Sequence, residues 1–230
     1  MTRRILPPSD KYASCPYDEK VLSYYEGQFE AVYVVLSPFI RPRSISLDRF
    51  NPESWPSKQD LVAGSEPVTW KQILSMVSLK SIAEIDIGLR SSISGLNKKY
   101  ANEDFAECLH LIAESEQLIL PSEGDISPLV ENRMYEALKR IGEQWLWVGD
   151  EFCTERKLFW IDDLIDGDEI PAHGCVFTPD KSILVTTHWD SHFSFLCSSK
   201  SKIERILEHE PFEGFYCAEE TEVFWSVWNK

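Results

Sequence analysis

The prolines of this 230-residue chain are unevenly spread: eight of thirteen, at positions 7, 8, 16, 38, 42, 52, 56 and 67, fall before Thr69. Proline locks φ and removes a backbone donor, so no long helix fits there. The first 67 residues are therefore expected to wrap around a core built elsewhere rather than form their own. One strand is predicted within residues 29–36, where Ala31, Val32, Tyr33, Val34 and Val35 are rich in β-formers. Residues 41–59 read as irregular chain.

From Thr69 the apolar period becomes helical, and Thr69 itself is a candidate N-cap before Trp70. Ile82, Ile85, Leu89, Ile93 and Leu96 recur at steps of three and four, as do Phe105, Cys108, Leu109 and Ile112 behind Asn102 and an acidic first turn. Ser127 and Pro128 place a cap residue and an N1 proline before Val130, Met134, Leu138 and Ile141, and Gly142 supplies the stop. From Trp145 onward the runs become short, aromatic and β-branched, with a helix predicted over residues 201–210 and six of the eight tryptophans. Thr178-Pro179-Asp180-Lys181 has the composition of a hairpin turn, whereas Asp162-Asp163 and the closing Thr221-to-Trp228 run read as strand. The fold class that results is α+β, a helical middle third (residues 69–142) packed on a mostly antiparallel C-terminal sheet (residues 143–230) within a single domain.

Charge narrows the function classes. With 38 Asp and Glu against 23 Lys and Arg the net charge is −15, and the basic residues are scattered, so no nucleic-acid surface is expected. Residues 151–230 carry 16 of the acidic and 7 of the basic side chains, which suits a basic protein partner, although solubility is the commoner use of such a field. The early run Ala31-Val32-Tyr33-Val34-Val35-Leu36 is far too short to span a membrane, and the two prolines after Arg3-Arg4 break any export signal. A cytoplasmic location follows as the expectation. Six cysteines without a C-x-x-C pair read as reduced structural thiols.

Chemistry concentrates in Thr187-His188-Trp189-Asp190-Ser191-His192. If the strand runs straight through, His188, Asp190 and His192 share one face and have the ligand types for Zn²⁺ or another divalent metal. If Asp190-Ser191 is a two-residue turn, the histidines face opposite sides and that site is lost; the flanking runs favour this hairpin. Glu151, Glu155 and Arg156 beside Trp145-Leu146-Trp147 are candidate acid, base or positioning groups. Residues 166–169 read as a solvated acidic loop. No nucleophile elbow or phosphate-binding glycine loop is present.

The series Asp150-Glu151-Phe152, Glu155-Arg156-Lys157-Leu158, Ile161-Asp162-Asp163-Leu164, His188-Trp189-Asp190-Ser191-His192-Phe193 and Glu213-Gly214-Phe215-Tyr216-Cys217 resembles an uncharacterised bacterial family, a domain of unknown function found chiefly in Bacillus-like Firmicutes. That resemblance implies a bacterial cytosolic protein and brings no activity, cofactor or catalytic residue. The residues themselves favour a non-catalytic binding protein with an acidic, aromatic-rich surface and no cofactor. The alternative is a metal-dependent hydrolase built on His188, Asp190 and His192. A homo-oligomer is compatible with either.

Overall fold

The computed structural model describes residues 14–150, 155–167 and 174–228. Its strands are β1 (Ala31–Leu36), β2 (Phe39–Pro42), β3 (Ser65–Val68), β4 (Trp145–Gly149), β5 (Arg156–Trp160), β6 (Cys175–Phe177), β7 (Leu184–Thr187), β8 (Phe193–Ser198) and β9 (Gly214–Tyr216). Seven of them form one sheet in the order β5-β4-β6-β7-β8-β1-β9, with antiparallel pairing throughout, and β2 pairs with β3 alone. The helices are α1 (Val21–Tyr24), α2 (Lys58–Gly64), α3 (Trp70–Leu74), α4 (Ile82–Ser92), α5 (Glu103–Glu116), α6 (Pro128–Arg140), α7 (Ile161–Asp166), α8 (Lys200–His209) and α9 (Trp225–Trp228). Among the described residues no helix is long and apolar enough to cross a membrane.

The sheet is covered on both faces, which its alternation explains. Val32, Val34 and Leu36 of β1, with Phe193, Phe195 and Cys197 of β8, enter a core shared with Trp70, Ile85, Leu89 and Leu109. Tyr33 and Val35, with Leu146, Val148, Val185 and Leu196, point the other way into a second core with Met134, Leu138, Leu164, Ile203 and Ile206. Each fully buried aliphatic or aromatic side chain contributes about 1.5–3 kcal/mol, so both layers of helix are held by the strands they cover. The Ser194 and Ser198 hydroxyls are buried but satisfied: Ser194 Oγ lies 2.8 Å from Thr187 Oγ1, and Ser198 donates to the Ser182 carbonyl at 2.6 Å.

The α+β class is as the sequence predicts, and so are the strand in residues 29–36, the helix caps at Thr69 and Asn102, and the Thr178–Lys181 hairpin. Other elements differ. The Pro-rich third does more than wrap: β1 lies between β8 and β9, and α2 begins inside the stretch read as irregular. Ser127 caps α6 by position only, without a side-chain hydrogen bond. Asp162 and Asp163 are not on a strand; they occupy the first turn of α7, where carboxylates meet the positive end of the helix dipole. The closing aromatic run forms α9 instead of a strand, because the Val223 carbonyl and the Ser226 hydroxyl are bonded to α4.

Candidate functional site

The two histidines sit at the tip of the β7–β8 hairpin. Strand pairing ends at Thr187 and Ser194, and the Ser191 amide donates to the His188 carbonyl at 3.0 Å, so Trp189 and Asp190 are the central turn residues. The turn falls one residue earlier than the Asp190-Ser191 turn considered from the sequence. Ser191 stays buried because its hydroxyl donates to the carbonyls of His188 and Phe193, at 2.8 and 3.0 Å, and bridges the loop. Both imidazoles are buried, and the His188 ring is packed among Tyr17, Trp189 and Phe224 with centroid distances of 6.0, 4.7 and 5.7 Å.

His188 Nδ1 accepts the Asp190 amide at 3.1 Å, which places the proton of the neutral ring on Nε2. Burial pushes His188 down to about 4, the Arg90 charge adds to the fall and the Tyr17 backbone opposes it. Burial, again reinforced by Arg90, takes His192 down to about 3. The straight strand that would align His188, Asp190 and His192 does not exist. Among the described residues no group of three or more His, Cys, Asp or Glu side chains is placed to hold a metal ion.

What the histidines do face is a buried ion pair that the sequence reading passed over. Asp86 and Arg90, one turn apart on α4, are both fully buried, with Arg90 Nε 3.0 Å from Asp86 Oδ2. The Ser226 hydroxyl donates to the same Oδ2 at 2.6 Å, and Arg90 Nη2 donates to the Val223 carbonyl at 2.9 Å. The guanidinium stacks between the rings of Phe193 and Phe224, at 5.3 and 4.7 Å. Burial raises the Asp86 carboxyl above its ordinary value, against the pull of Arg90 and Ser226. The available signal was Asp86-x-x-x-Arg90 inside an apolar helical stripe, where a charged pair has to be buried together.

This cluster is under-satisfied. Eight buried side-chain polar atoms among the described residues lack a hydrogen-bond partner, and five of them lie here: Asp86 Oδ1, Arg90 Nη1, His188 Nε2, His192 Nδ1 and Trp225 Nε1. Each unpaired buried group costs about 1–3 kcal/mol, so the concentration marks this as the place where the fold carries polar capacity it does not use.

Outside the cluster, Phe224 forms part of the wall of an open cleft of about 250 Å³. Two carboxylate residues, Asp18 and Glu222, and two aromatic residues, Tyr100 and Phe224, line it with Leu96 and Val227; no Lys or Arg is among its lining residues. The α4–α5 connection closes one side, packed so near the hairpin tip that a Cβ on Gly95 would lie 3.4 Å from the Asp190 Cβ.

The remaining candidates lie elsewhere. Glu151 is outside the described residues. Glu155 closes the β4–β5 hairpin, its amide donating to Asp150 Oδ2 at 3.0 Å, and the Arg156 guanidinium lies over the Trp147 ring at 5.8 Å. Both side chains are exposed, and neither is bonded to His188 or His192. The central strands of the sheet are buried, and on α5 Glu103, Asp104, Glu107, Glu114 and Glu116 are exposed beside His110, with no Lys or Arg on that helix. The thiols fit structural roles: Cys175 Sγ lies 3.0 Å from Thr186 Oγ1, and burial pushes Cys217 up to about 12. Cys153 is outside the described residues.

A family model described as a protein of unknown function (DUF2711) matches residues 17–227, a span that includes the cluster and the cleft. The chain is also similar to the uncharacterized protein YwbB of Bacillus subtilis (strain 168), at 23% identity over 227 residues, 90% of this chain and 95% of that protein. No solved structure matches the chain.

Proposed function

We propose that this chain, which belongs to the DUF2711 family of proteins of unknown function, is a binding protein that seats a cationic side chain of a basic protein partner in the cleft beside Phe224. The observation that carries this reading is the cleft's lining. Carboxylates at Asp18 and Glu222 supply charge, while Phe224 supplies a ring face that attracts a guanidinium or ammonium group; Tyr100 already carries the Lys99 ammonium over its ring at 4.4 Å. The exposed acidic face of α5 follows the connection that forms one wall, and its field would raise the encounter rate with a basic surface. Among the described residues the candidate catalytic groups are not brought together. The histidines proposed as metal ligands are neutral and buried, His188 bonded within the hairpin through Nδ1, and Glu155 and Arg156 are exposed at another one.

The test is calorimetric titration with an oligo-arginine peptide at low and at physiological salt. Saturable binding that weakens about tenfold in Asp18→Asn/Glu222→Gln supports the cleft. A Glu107→Gln/Glu114→Gln variant on α5 is the control. If it weakens binding as much as the cleft variant does, the attraction is that of the general field and the cleft is not the site.

A further inference from the structure

We propose that the buried cluster around Arg90 is a binding site for a small oxyanion, held by Arg90 Nη1 and Trp225 Nε1. The argument rests on which polar atoms are left over. Arginine and tryptophan nitrogens only donate, so Arg90 Nη1 and Trp225 Nε1 need acceptors. Asp86 does not supply them, because Arg90 Nε and Ser226 both converge on its Oδ2 and the two-pronged guanidinium–carboxylate pairing is not made. Arg90 Nη2 is taken by the Val223 carbonyl, which leaves the Nη1 corner of the guanidinium open. Against these two donors stands the Asp86 Oδ1 acceptor, while the neutral His192 ring can pair through Nδ1 in either sense.

A ligand made of acceptors, with a charge opposite to the guanidinium, matches that inventory; a carboxylate and an inorganic oxyanion such as phosphate share the chemistry. Arg90, His192 and Trp225 are each at least 97% buried, so a charge-assisted hydrogen bond there is not weakened by water. The way in is through Phe224. Its half-buried ring lies over the guanidinium at 4.7 Å and also lines the open cleft. The proposal does not depend on the cationic partner assigned to that cleft.

The experiment uses the full chain labelled with ¹⁵N, titrated separately with phosphate and with acetate, and with chloride at matched ionic strength. The Trp225 indole N–H resonance is read directly and assigned by its loss in Trp225→Phe. A saturable one-site shift with phosphate or acetate, and none with chloride, is the expected result, and the two arms identify which oxyanion is preferred. Calorimetry on Trp225→Phe, which keeps the ring bulk and deletes the donor, is expected to show about tenfold weaker affinity. An indole resonance that ignores both oxyanions, a response to chloride of equal size, or an affinity in Trp225→Phe within about twofold of the parent each overturns the site.

Discussion

His188 and His192 make the stability depend on pH, and the sign follows from burial. Both are held below their ordinary value of 6.5, at about 4 and about 3, by burial reinforced by Arg90. The unfolded chain takes up these protons near 6.5 and the folded chain does not, so stability is lost as pH falls from 6.5 towards 4. Each site contributes up to about 1.4 kcal/mol per pH unit within that window. Asp86, in the same cluster, has a raised carboxyl pKa and acts in the opposite sense at the acidic end. Urea unfolding at successive pH values between 7 and 5 should show a falling stability, and His192→Phe should flatten the slope. An unchanged slope in that variant would mean that His192 is not buried as described. The sequence made these two residues visible as titratable groups. It could not show that Arg90, about a hundred positions earlier, is what they face.

Local chemistry made some elements legible and left others hidden. The capping box of Thr69 and Gln72, the Asn102 cap and the positive φ of 108° at Gly142 all act within a few residues, so composition predicts them. The α7 and α9 helices were read as strand because their aromatic and β-branched composition outweighed signals in plain view, the paired aspartates of a first helical turn among them. The His188 turn was missed by one residue because its placement depends on Ser191 satisfying two carbonyls across the loop.

Two glycines separate local from tertiary demand. An added Cβ at Gly142 meets nothing within 4 Å, so Gly142→Ala costs only backbone strain, about 1 kcal/mol. At Gly214 the same atom would lie 1.8 Å from the Val34 carbonyl, on the strand that β9 pairs with. Gly214→Ala should therefore unseat β9 and cost well above 2 kcal/mol, read as a larger fall in urea midpoint than that of Gly142→Ala. Equal losses would show that β9 adapts without penalty.

On the scale of the whole molecule, the shared sheet decides how the layers unfold. Residues of β1, β6, β7 and β8 enter both cores by alternation, so neither helical layer can separate without exposing strands the other covers. A second buried ion pair links the outlying α2 to this frame. Lys58 Nζ lies 3.3 Å from Glu131 Oε2 of α6 and donates to the Leu164 carbonyl of α7 at 2.7 Å, while the Tyr135 hydroxyl donates to Glu131 at 2.8 Å. Removing one partner of such a pair strands the other charge, at a cost of about 3–5 kcal/mol. Glu131→Ala lies in the layer opposite Trp70 and Trp225, which pack in the first core. If the chain is one domain, tryptophan fluorescence and far-ultraviolet circular dichroism should trace one coincident urea transition in the parent, and Glu131→Ala should move both midpoints down together. A fluorescence transition that stays in place while the dichroism transition moves would show two layers folding independently, with the sheet belonging to only one of them.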